Sequence, residues 1–304
     1  MKLEILAAES LGVRSLCCQV SLPDRCIVID PGIALGYKRE GLLPHPVQVA
    51  VGRQVRQKIL DVLETATDIV FSHYHGDHVP LKNANPYQLS FHALSDRFWN
   101  LPCWCKSPND LSAEMHKRFE DLKENFGANM VVTEGRKEGP LAFSHAVSHG
   151  LPDSRMGKVM MTRVREGGET FVHASDIQLL NDAAVDQVVS WQPDIALAGG
   201  PPLYLTRLGE NERHISWENA LRLAKQVDTL IIDHHLMRSQ EGAAWLEELS
   251  ASAGKKVYCA ADFMNQSRRL LEADRTLLYR EMPVPDTWHP DYENGLVDVD
   301  EYLE

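Results

Sequence analysis

The chain has 304 residues, 44% of them apolar and 24% charged, which suits one large globular core and excludes a mainly disordered polypeptide. Its 31 lysines and arginines face 43 aspartates and glutamates, and the net charge of −12 disfavours nonspecific binding to nucleic acid or an anionic membrane. No apolar run reaches the ~20 residues of a membrane span, and the opening "MKLEILAAESLG" lacks the apolar core and small-residue cleavage site of a secretory signal.

In chain order, "LEILA", "RSLCCQV" and "RCIVID" are short strand-like runs, the last closed by the turn "DPG". "PVQVAVGRQVRQKILDVLETA" has helical apolar spacing, and "TDIVF" reads as a short buried strand. Residues 79–110 are irregular and rich in proline and asparagine; with the helix signal "SPNDLSAEMHKRFEDLKENFG" they predict an insertion at about 79–126. Strands are expected in "ANMVVT", "LAFSHAVS", "GKVMMTRVR" and "ETFVHAS". Helices and strands then alternate: "NDAAVDQVVSW" before "DIALAGG", "SWENALRLAKQV" before "DTLIID", and "SQEGAAWLEELSASAG" before "KKVYCA". A final helix is expected from about 266 to 280. Residues 1–285 thus read as a single α/β domain, and the acidic tail 286–304 as loose.

The six cysteines, Cys17, Cys18, Cys26, Cys103, Cys105 and Cys259, form no paired CxxC units and read as reduced thiols of a cytoplasmic protein. "CWC" at 103–105 reads as a buried strand in preference to a soft metal site. Nothing in the chain specifies an oligomeric state.

The densest chemistry lies in "FSHYHGDH", residues 71–78, where a strand runs into a loop. Side chains two apart in extended backbone face the same way, so His73 and His75 can converge on one point. Gly76 is expected to allow a sharp turn. Asp77 and His78 diverge in direction, so with the first pair they can serve two adjacent metal ions. Imidazoles with a carboxylate suit zinc, or iron and manganese.

This H-x-H-x-D-H motif resembles that of the metallo-β-lactamase superfamily. Further elements of that pattern stand in order, each where an apolar run stops. "CIVIDPG" offers Asp30, "AVSHG" offers His149, "FVHASD" offers Asp176, and "TLIIDHH" offers His234 or His235. Within the superfamily, "ESLGVRSL", "IDPGIALG", "HASDIQ", "GGPPLYL" and "DHHLMR" look most like a largely archaeal family of predicted metal-dependent hydrolases.

The resemblance implies an αββα sandwich, with two mixed sheets face to face and helices outside. It implies two divalent cations, zinc first, with iron or manganese as substitutes. His73, His75 and His149 would hold the first ion. Asp77, His78 and the late histidine would hold the second, Asp176 would bridge, and Asp30 would orient a ligand histidine. His234 is favoured as that late ligand because it directly follows the strand-terminal Asp233; His235 would then point elsewhere.

Two such metals share a water, lower its pKa toward about 7 and present a bridging hydroxide. Asp77 or Asp176 would hold its proton, and the non-ligand histidine of the 234/235 pair would assist the leaving group. The expected reaction is hydrolysis of a phosphodiester or an ester, lactone or thioester in a small or nucleotide substrate. The alternatives are an iron-dependent redox enzyme, sulfur dioxygenase-like or di-iron, and a noncatalytic metal sensor.

Other polar residues read as ordinary. His145 is expected to be a surface or packing histidine and His173 to point away from the site. Tyr204 reads as structural or substrate-touching, and Arg238 as a solvated residue or an anion ligand. His45, His92, His116, His214 and His289 have no partners in sequence.

Overall fold

The computed structural model describes residues 1–152 and 157–303. It begins with an antiparallel meander of β1 (Lys2–Ala8), β2 (Leu16–Ser21) and β3 (Cys26–Ile29). The chain then crosses through α1 (Pro46–Leu63) to β4 (Asp68–Phe71), and past α2 (Asp96–Trp99) to β5 (Cys103–Cys105). From there α3 (Ala113–Phe126) leads to β6 (Met130–Val132), and β3 to β6 are parallel neighbours. These six strands form one sheet in sequential order.

The second sheet contains β7 (Lys137–Glu138) and β8 (Leu141–Phe143); β9 (Val147–Ser148) and β10 (Lys158–Val159) pair apart from it. It continues with β11 (Thr162–Glu166), β12 (Glu169–His173), α4 (Asp182–Ser190), β13 (Ile195–Ala198), α5 (Glu210–Gln226) and β14 (Thr229–Ile232). Its strand order is β14-β13-β12-β11-β8-β7, parallel from β12 to β14 and antiparallel elsewhere. The chain closes with α6 (Gln240–Ala253), α7 (Ala260–Phe263), α8 (Arg275–Glu281) and α9 (Trp288–Glu293).

Strand composition explains the layering. In β3, Ile27 and Ile29 join Val164 and Phe171 in the core between the sheets, while Val28 joins Val49 and Ile59 under α1. β4 repeats the pattern, with Val70 inward and Ile69 and Phe71 toward the helices. A strand covered on both faces needs an apolar residue at every position, which is why "DIVF" does not alternate. Val185, Leu223 and Leu246 of α4, α5 and α6 cover the second sheet. The result is the expected αββα sandwich, two mixed sheets with helices outside.

α1 starts where His45 accepts from Val47 N and Gln48 reaches back to His45 N, with Pro46 in the first turn. That gives His45 a structural role.

Several expectations change. Only the first part of 79–126 is an excursion, because β5 pairs with both β4 and β6 and α3 packs Phe119, Leu122 and Phe126 into the core. "CWC" is therefore a central strand. "KKVYCA" makes only an isolated bridge, Ile231 with Tyr258, and the final helix is confined to α8. The tail is not loose: Trp288 and Val299 are buried, and Arg53 of α1 pairs with Asp298 at 2.8 Å and also with Asp300. His289 is held by Tyr87 at 2.7 Å and Tyr279 at 3.0 Å. The acidic composition concealed two apolar anchors and a basic partner on α1.

Among the described residues no helix is long and apolar enough to cross a membrane. All six cysteines are free, and five of them are buried.

Candidate metal centre

The site forms where strands of both sheets and of the separate β9–β10 pair end. Asp30 follows β3, the 72–78 loop follows β4, His149 follows β9, Asp176 follows β12, and His234 and His235 follow β14. Gly32 lets the loop after β3 lie flat against the histidine loop. A Cβ there would stand 2.2 Å from Val79 N and 2.3 Å from the His78 carbonyl carbon, so no other residue fits. Gly76, in contrast, does not take a left-handed conformation, so the histidine loop turns without that freedom.

Asp30 is buried and accepts three hydrogen bonds: from Ser72 N at 2.7 Å, Ser72 Oγ at 2.5 Å and His78 Nδ1 at 2.9 Å. It orients His78 and aims Nε2 inward. Ser72 Oγ also lies 2.9 Å from His73 Nδ1 and 2.7 Å from Ser175 Oγ. Asp233 anchors the other side, accepting from Ser10 N at 3.0 Å, Ala260 N at 2.8 Å and His234 N at 2.7 Å. Ser10, Ser72, Ser175 and Asp233 were not singled out in the sequence as site residues. Their only signal is a small polar residue just beyond a strand end.

Two donor groups face each other. His73, His75, His149 and Asp176 offer atoms all within 4.8 Å of one another, and so do Asp77, His78 and His234. Asp176 connects them. Its Oδ2 is 3.2 Å from His149 Nε2, 3.5 Å from His73 Nε2 and 3.3 Å from His234 Nε2, and its Oδ1 is 3.1 Å from His78 Nε2.

His235 does not point elsewhere. Its Nε2 lies 3.5 Å from Asp176 Oδ2, and its ring is 5.0 Å from that of His149. The cause is the backbone: His234 has φ of 47°, which brings consecutive rings to one side. Asp30 and Ser175 share this left-handed conformation, with φ of 51° and 56°. Non-glycine residues pay about 1–3 kcal/mol each for such geometry, which tends to cluster at functional sites.

Arg238 is not solvated. It is buried, donating from Nη2 to His234 Nε2 at 2.8 Å, from Nη1 to the Tyr204 hydroxyl at 3.3 Å and from Nε to Glu9 at 3.2 Å. His145 is exposed, and His173 donates to the Leu16 carbonyl at 2.9 Å, outside the donor groups.

The donor set fits divalent cations. Six imidazoles and the carboxylates of Asp77 and Asp176 converge here. Of seven buried side-chain atoms without a hydrogen-bond partner among the described residues, three belong to this cluster: His149 Nδ1, Asp176 Oδ1 and His235 Nδ1. Burial pushes His73, His234 and His235 below the ordinary histidine range, and His75 to about 4. They are therefore neutral at pH 7, the form that offers a lone pair. Burial opposes ionisation of Asp77 and Asp176, yet the neighbouring His78 and His234 hold both below the usual carboxylate range. His78 alone is raised, against burial, by Asp176 and Asp30. Nitrogen and oxygen donors around buried anionic carboxylates suit zinc, iron or manganese.

The chain matches no protein-family model. It is 48% identical over 303 residues to a UPF0282 protein of Methanosarcina mazei, covering 100% of both chains. Among solved structures it resembles Tm1679, a metal-dependent hydrolase of the β-lactamase superfamily, with a TM-score of 0.51 and 10% identity over 84% of this chain and 94% of that one. It also resembles an isothiocyanate hydrolase from Delia radicum gut bacteria, with a TM-score of 0.50 and 16% identity over 85% of this chain and 95% of the other.

Proposed function

The chain belongs to the UPF0282 family, and on that premise we propose that it is a hydrolase with two divalent metal ions, zinc first, acting on a small or nucleotide substrate. The observation that carries this reading is Asp176, one buried carboxylate whose two oxygens meet donors of both groups. His73, His75, His149 and Asp176 would hold one ion, and Asp77, His78, His234 and Asp176 the other. Bound there, such a pair supplies Lewis acidity and brings the pKa of a water to about 7.

The chain's own groups do the rest. Asp77 is half-buried and held anionic, so it can accept a proton at the open side of the cleft. His235 is held neutral, so it can accept a proton from the attacking water and pass that proton on to a departing oxygen or sulfur. Asp30, Ser72 and Ser175 hold the histidines in place and need no contact with substrate. The bond cleaved would be an ester, lactone, thioester or phosphodiester. The chain's acidity argues for a small partner over nucleic acid or a membrane, and the free thiols suit a reducing cytoplasm.

A panel of an acyl lactone, an acyl thioester and a bis-aryl phosphodiester tests this. At least one should be hydrolysed, with the rate falling about a hundredfold or more after chelation and recovering with zinc, manganese or iron. Turnover indifferent to the chelator, or oxygen consumption with no hydrolysis across the panel, would count against it.

A further inference from the structure

Beside the Asp77–His78–His234 group, six charged or polar residues meet from separate parts of the chain: Glu9, Arg14, Arg39, Tyr204, Arg238 and Glu272. Arg238 Nη2 reaches 3.5 Å from Asp77 Oδ2 and 2.8 Å from His234 Nε2. The Arg39 guanidinium lies over the Tyr204 ring, 5.1 Å from its centre, with Nη1 3.3 Å from Glu272. Arg14 grips both oxygens of Glu272. Gly36 leaves room for this pair, since a Cβ there would stand 2.4 Å from Arg14 Nη2.

The three arginines form a stair from the metal ligands to solvent, with side-chain exposures of 7% for Arg238, 17% for Arg39 and 27% for Arg14. Three guanidiniums meet three carboxylates, those of Glu9, Glu272 and Asp77. Arg14 holds Glu272 below the usual carboxylate range against its burial, while burial and Glu272 push Glu9 up to about 8. Three guanidiniums gathered beside the donor groups, in a chain of net charge −12, are a local attraction for an incoming anion. Planar guanidinium forks match carboxylate and phosphate oxygens equally well.

We propose that Arg238, Arg39 and Arg14, with Tyr204, form an anion subsite beside the second donor group, so that the substrate carries a carboxylate or a phosphate near the bond that is cleaved. The assignment rests on the hydrolase reading for its reaction, but the subsite can be tested separately. Calorimetry would titrate zinc-loaded protein, and the same protein stripped of metal, with inorganic phosphate and with acetate. Wild type, Arg39→Gln, Arg39→Lys and Arg14→Gln would be compared, with metal content measured on each. Arg39 and Arg14 are partly exposed, so their variants should fold.

One of the two anions should bind wild type, and the stronger one marks the substrate's group. Arg39→Gln should weaken it about tenfold, Arg39→Lys should retain most of the affinity, and metal content should not change. Equal affinity in wild type, Arg39→Gln and Arg14→Gln would overturn the subsite, as would binding of neither anion. If wild type takes up no metal, the two-metal reading fails, while the stripped-protein titrations still decide the subsite.

Discussion

Asp176→Ala is expected to empty both donor groups at once, weakening metal binding at least about a hundredfold and turnover by on the order of a thousandfold. The reason is its position. Oδ2 lies within 3.5 Å of nitrogens from His73, His149, His234 and His235, and Oδ1 is 3.1 Å from His78 Nε2. Removing it takes the only anion from the first group and leaves His78, among the described residues, with Asp30 as its one carboxylate neighbour within ion-pair range. Asp176→Asn keeps the volume and loses the charge, so it separates packing from electrostatics: its melting temperature should stay near that of wild type while metal is still lost. Two metals per chain in Asp176→Ala would show that the carboxylate does not bridge.

The second large effect concerns the doubled histidine. His234 groups with Asp77 and His78 and also with Asp176 and His235, while His235 alone of the two lies against the ring of His149, at 5.0 Å. His234→Ala should therefore reduce metal content from two to one per chain and abolish most turnover. His235→Ala should keep both metals and slow turnover by about a hundredfold or more, as expected for the loss of a general acid. Mass spectrometry of metal content on the two variants side by side decides between them. Loss from His235→Ala with retention in His234→Ala would exchange the roles.

The convergent donor cluster was legible in sequence because most of its residues follow a strand whose apolar run stops abruptly. "DIVF" then "SHYHGDH" shows both the buried strand and its polar exit, and "TLII" then "DHH" repeats the pattern. The direction of His235 was not legible. It depends on one left-handed backbone angle at His234, which histidine adopts more readily than most residues but only in a small minority of cases. The burial of Arg238 was not legible for a different reason: its partner Glu9 stands 229 positions away, so only the folded chain brings them together. The tail was obscured by its average composition, since its buried residues, Trp288, His289 and Val299, stand among many acidic ones. The segment 79–126 was obscured by length, because a three-residue strand such as β5 is too short to show periodicity.

The most direct measurement is the metal content and visible spectrum of the wild-type protein purified without oxygen. Two zinc ions per chain and no visible band are predicted, because two facing groups of imidazoles share the anionic Asp176. A chain that binds no metal or only one ion, or that carries iron with a visible absorption band, would contradict the two-zinc hydrolytic account.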